Sequence, residues 1–156
     1  MNMEPRRQQL VDNVRRAIAD KTTETDILKA AVELIDSFSE DFNWTGFYML
    51  KDGVLRVGPY IGPPTPHTVI ELNAGICGAA ASQRRSIVVD DVNADPRFLA
   101  CSLTTRSEIV VPLLDGNTVL GEIDIDSNQP SQFSEDDRIM LEAVATEIVA
   151  RLKAIR

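Results

Sequence analysis

Sulfur and imidazole are scarce in this chain. Cys77 and Cys101 are its only cysteines and His67 is its only histidine. There is no C-x-x-C pair and no Cys/His set at metal-ligand spacing, which argues against a disulfide scaffold and against a structural zinc site, so no metal is assigned. Both sulfurs are expected as thiols in a reducing compartment. Positive charge is in deficit too, with 16 Lys and Arg against 24 Asp and Glu and a net charge of -8. Binding phosphates needs a clustered surplus of Lys and Arg, so nucleic acid is excluded as a partner, and an anionic membrane surface is disfavoured on the same ground. No apolar run approaches the ~20 residues that span a bilayer, and the polar stretch from Met1 to Gln8 has no signal-peptide core. The expected location is the cytoplasm.

What is present reads as one ordinary globular unit. The 156 residues are 44% hydrophobic and 26% charged, with no repeat and no Gly/Ser/Pro-rich linker. A chain of this length buries roughly two-thirds of its unfolded surface in a single core. The expected organisation is one domain over 1–156, with helices in 1–40, sheet and pocket loops in 41–133 and a closing helix in 134–156.

Residues 6–19 put Leu10, Val14, Ala17 and Ile18 on one helical face, and 25–38 repeat the pattern with Leu28, Ala31, Val32, Ile35 and Phe38. Asp52-Gly53 between apolar runs 44–50 and 54–60 marks a hairpin. Pro59, Gly62, Pro63, Pro64 and Pro66 make a rigid, non-helical loop before a strand over 68–72. Residues 75–83 read as a short buried helix and 86–90 as a strand. The aperiodic segment 93–107 is a long loop or holds a short helix near Phe98, and such loops are often functional. A second hairpin joins 108–114 to 118–127, and Ser134 caps a last helix whose stripe is Leu141, Val144, Ile148 and Leu152. The order gives an α+β fold, a central antiparallel sheet with N-terminal and C-terminal helices on one face.

The second hairpin carries the sharpest chemistry. Val119, Gly121, Ile123 and Ile125 alternate with Leu120, Glu122, Asp124 and Asp126, so one face is apolar and the other acidic. A three-residue loop at 115–117 pairs Ile109 with Ile123 and Leu113 with Val119, and sets Glu108 opposite Asp124. Glu108, Asp124 and Asp126 then converge. Like charges facing across strands cost a few tenths to about 1 kcal/mol, which a bound ammonium, a shared proton or a metal would offset. Close carboxyls also raise one another's pKa and so keep an acid protonated near neutrality. A half-exposed hairpin with a solvated acidic face is the plainer alternative.

These residues and three further segments resemble the free methionine-(R)-sulfoxide reductase family of stand-alone GAF domains. The matching stretches are NWTGFY at 43–48, GICG at 75–78, Ala100-Cys101 followed by RSEIVVP at 106–112, and LGEIDIDS at 120–127. The resemblance implies a GAF-like (PAS-like) fold and a pocket in which Cys101 is the reactive thiol, Trp44 receives the substrate methyl group and Tyr48 lines the site. Glu108, Asp124 and Asp126 would hold the polarised sulfoxide and the substrate amino group. A thiol attacks the sulfoxide sulfur while an acid protonates the departing oxygen, leaving methionine and a sulfenic acid. No prosthetic cofactor is implied; the electrons come from an external thiol such as thioredoxin or a small thiol.

The family's usual resolving cysteine stands ten positions before the one in the GICG-like motif, and here that position is His67. Ser102 also replaces an Asp common in the family. Cys77 is left as the candidate resolving or recycling thiol, with direct attack by a small thiol as the other route. His67 is a candidate auxiliary residue whose charge would lower a cysteine pKa. Two rival readings stand beside the enzyme. One is a non-catalytic GAF-type sensor that binds an amino acid without turnover. The other is an interaction protein whose terminal helices pair two copies as a homodimer.

Overall fold

In the computed structural model, which describes residues 3–99 and 102–156, the elements run α1 (Pro5–Ile18), α2 (Glu24–Asp36), β1 (Trp44–Lys51), β2 (Val54–Ile61), β3 (Val69–Glu71), α3 (Gly75–Gln83), β4 (Ile87–Val89), β5 (Ser107–Asp115), β6 (Thr118–Ser127) and α4 (Glu135–Ala154). The local chemistry explains their ends. Pro5 opens α1, where its missing N–H costs nothing. The Thr23 hydroxyl accepts from the Asp26 N–H at the start of α2, and Ser134 with Asp137 forms a reciprocal capping box on α4.

The six strands form one antiparallel sheet in the order β3-β2-β1-β6-β5-β4. Asp52 and Gly53 both take positive φ in the two-residue turn joining β1 to β2. Pro59 lies inside β2 rather than in the loop after it. The ladder is irregular between Gly46 and Tyr48, so this Pro, with no N–H to donate, sits where the pairing is already interrupted.

Two cores lie on opposite faces of the sheet. On one face α1, α2 and α4 bury Leu10, Val14, Ile27, Ile35, Leu141 and Ile148 against Phe47, Ile109, Ile123 and Ile125. The terminal helices thus spend their apolar stripes within their own chain. On the other face α3 covers a smaller cluster that includes Trp44, Tyr48, Cys77, Ile87, Val89 and Val110. The short helix expected near Phe98 comes earlier, as a 3-10 turn at Val92–Ala94 capped by the Asp91 carboxylate.

The β5–β6 register differs from the sequence expectation. Asp115 pairs with Thr118, so Gly116 and Asn117 make a two-residue turn, and Gly116 supplies its positive φ. Leu114 pairs with Val119 but Leu113 with Gly121, leaving Leu120 as the extra residue of a bulge. The bulge turns Val119 to the α3 side and Leu120 to the helical side, the reverse of simple alternation. Beyond it the parity is restored: Ile109 faces Ile125, and Glu108 faces Asp126 rather than Asp124.

Candidate functional site

Strand register assembles an acidic row on the α3 side of the sheet. In β6, Glu122, Asp124 and Asp126 are spaced two apart and point the same way. Their partners in β1 are Tyr48, Gly46 and Trp44, and Asp126 meets Glu108 of β5 on its other flank. This face is not solvated. Glu108 is 6% exposed, Glu122 0%, Asp124 3% and Asp126 3%. The plainer expectation of a solvated acidic ribbon is therefore wrong, because α3 and the loops bury it.

The glycines of two motifs make the burial possible. A Cβ on Gly46 would lie 2.5 Å from the Trp44 ring and 2.6 Å from Tyr60 Cβ, so the bare backbone is the bed on which the indole rests. At α3, Gly75 has φ +70 and a Cβ there would meet Leu99 at 2.8 Å, while one on Gly78 would sit 2.7 Å from the Glu71 carbonyl. Cys77, between them, is thereby pressed onto the sheet, where its thiol donates to Asp124 Oδ2 at 3.4 Å.

Electrostatically the row is unbalanced. Among the described residues both Glu122 oxygens, Asp124 Oδ1 and Asp126 Oδ1 are buried without a hydrogen-bond partner, and no ion pair reaches any of the four acids. Burial pushes the Glu108 carboxyl well above the usual carboxylate range, and the charges of Asp124 and Asp126 add to this. Asp126 is pushed well up by burial and then by Asp124. Burial also raises Asp124, opposed by hydrogen bonds from Glu108 and Cys77. Of these acids Glu108 is the one that both neighbouring carboxylates push upward, which favours its neutral form over theirs. Burial raises Glu122 well up. The Cys77 thiol is raised likewise, by burial first and then by Asp124, Glu122 and Glu108.

Aromatic side chains and the proline-rich loop wall the row. Trp44 stacks on Tyr48 at 6.0 Å and on Tyr60 at 5.2 Å. Its indole N–H donates to the Pro63 carbonyl at 3.1 Å, and the Tyr48 hydroxyl donates to the His67 carbonyl at 2.7 Å. Two cavities open here. One, about 210 Å³, is lined by Trp44, Asp126, Asn43, Pro64, Thr105 and Ser102 among others. The other is a narrow space of about 10 Å³, room for one water, bordered by Tyr48, His67, Cys77, Leu99, Glu108 and Asp124.

Of the residues singled out from sequence, Trp44, Tyr48, His67, Cys77, Glu108, Asp124 and Asp126 all come together here. Cys101 lies outside the described residues. Sequence reasoning passed over Glu122, whose place in the same alternation was the available signal. It also left Asn43 without a role: Asn43 Oδ1 accepts from the Asn128 N–H at 2.7 Å and its own N–H donates to the Asp126 carbonyl at 2.9 Å, pinning β1 beside the acids. Nothing in the sequence marked Thr105, buried in the wall of the wide cavity.

Residues 7–152 match the family described as GAF domain. Among curated relatives, the chain is 34% identical to free methionine-R-sulfoxide reductase of Escherichia coli (strain K12) across 74% of this chain and 67% of that protein. It is 40% identical to free methionine-R-sulfoxide reductase of Saccharomyces cerevisiae across 70% of this chain, spanning only 62% of that protein's length. The solved structure of free methionine-R-sulfoxide reductase from Neisseria meningitidis in complex with its substrate superposes with a TM-score of 0.92 at 31% identity, over 100% of this chain and 95% of that one.

Proposed function

From the premise that the chain belongs to the GAF family, among the free methionine-R-sulfoxide reductases, we propose that it reduces free L-methionine-(R)-sulfoxide to methionine with the Cys101 thiol. The observation that carries this reading is the buried row of acids with unpaired oxygens, beside a stacked indole and a cavity of about 210 Å³. An amino-acid ligand answers each feature. Its ammonium group takes the unpaired oxygens of Asp124 and Asp126, its methyl group packs on Trp44, and Tyr48 closes the wall. Glu108, which holds a proton, donates it to the sulfoxide oxygen.

The step balances without a cofactor. Cys101 sulfur attacks the sulfoxide sulfur and oxygen passes to the cysteine, so Cys–SH and the sulfoxide become Cys–SOH and methionine. Two external thiols then return Cys–SOH to Cys–SH, giving their disulfide and water. Cys77 is poorly suited to resolve the sulfenic acid, because its proton is held by Asp124 and the surrounding acids disfavour its thiolate. Thioredoxin or a small thiol attacking directly fits His67 at the usual resolving position. The reducing interior that such a cycle needs is the cytoplasm, and a single domain suffices for it.

The test is to mix the protein with racemic methionine sulfoxide and either dithiothreitol or a thioredoxin system and follow each epimer. The expected result is loss of the R epimer alone, abolished by Cys101→Ser and retained by Cys77→Ser. Saturable binding of the sulfoxide with no turnover would replace the enzyme by a binding module.

A further inference from the structure

Cys77, Glu108 and Asp124 are 31 and 16 residues apart along the chain, a spacing in which no metal motif is legible. The fold nonetheless brings one donor atom of each within 4.8 Å of the others. Each residue is buried, and the acids carry more lone pairs than the described protein atoms use: Asp124 Oδ1 and both Glu122 oxygens have no partner. Glu122 lies close enough to the Cys77 thiol for its charge to bear on it. A buried site with one sulfur, several carboxylate oxygens and no counter-charge calls for a cation. We propose that Cys77, Glu108 and Asp124 bind a single thiophilic divalent cation of the zinc class, with Glu122 offering an oxygen as the fourth ligand.

The donor set decides the class. Calcium and magnesium take six or more oxygens and have no use for a thiolate. Zinc accepts four mixed sulfur and oxygen ligands, at about 2.3 Å to sulfur and 2.0–2.2 Å to oxygen, so it would draw the three atoms slightly together. It takes the place of the thiol proton and of the proton on Glu108. Backbone on strands β5 and β6 and helix α3 fixes all three residues, so little ordering is left for the metal to impose. The site stands independently of the reductase reading; where both hold, zinc and substrate compete for the acids, and chelation restores turnover.

Cobalt(II), which reports its ligands by colour, is the probe. Titrated into the full-length protein, it should bind saturably at one equivalent with a thiolate-to-cobalt charge-transfer band. The band should persist in Cys101→Ser, vanish in Cys77→Ser and weaken in Glu108→Gln, with melting curves checking that each variant folds. Should Cys77→Ser fail to fold, the cadmium NMR shift of the wild-type protein separates a one-sulfur site from an all-oxygen one without any variant. Absence of saturable binding, a band that survives loss of Cys77, or an all-oxygen cadmium shift would each overturn the proposal.

Discussion

At the scale of the residue, the acids divide by what their protons can do. Burial and the charges of Asp124 and Asp126 favour the neutral form of Glu108, the form that serves as an acid, so Glu108→Gln should lower kcat by about 10²- to 10⁴-fold, the usual worth of a positioned acid. The alkaline fall of kcat, which reports loss of that proton, should flatten in the same variant; steady-state kinetics from pH 6 to 9 checks both. Glu122 is a different case, with neither oxygen hydrogen-bonded among the described residues. Its pKa in the folded state is raised, so its contribution to stability is complete below the unfolded-state pKa and is lost as pH rises through the folded value. Glu122→Gln should therefore melt with the wild type below the ordinary Glu pKa of 4.5 and above it at pH 9. A gain of about 1 kcal/mol corresponds to about 2–4 °C for a chain of this size. The pattern of alternation made the acidic row legible from sequence, including its sharing of one face. Its burial was not legible, because nothing local distinguishes acids under α3 from acids facing water.

At the scale of the element, the helices and most strand limits follow from periodicity and caps, which are local signals. The register of β5 on β6 did not, since beyond Leu120 a two-residue turn plus a bulge gives the same alternation as a three-residue loop. Two substitutions separate structural from functional parts. Ser134→Ala removes the cap of α4, a helix packed on the face of the sheet opposite the acids, and should cost about 1 kcal/mol with kcat/KM unchanged. Gly46→Ala pushes a methyl into the Trp44 ring, and should cost about 1–3 kcal/mol through overpacking while raising KM as the indole is displaced. Because Trp44 is the sole tryptophan, its fluorescence reads this displacement directly.

At the scale of the whole molecule, the four buried acids of the row, in a chain of net charge -8, make the ligand part of the stability balance. A ligand at 100 times its Kd stabilises by about 2.7 kcal/mol. The thermal shift produced by methionine sulfoxide should grow as pH rises, because the acids then lose the protons that the ammonium group replaces; differential scanning fluorimetry across pH checks this. The bulge has a consequence of its own for how this architecture tolerates length changes. Position 120 is a spare link: excising it would leave every later pairing of the ribbon in phase and cost only one leucine's packing. Excising a single residue between 121 and 126 would instead roll the ribbon over, sending carboxylates into the greasy layer under the helices and isoleucines into the pocket.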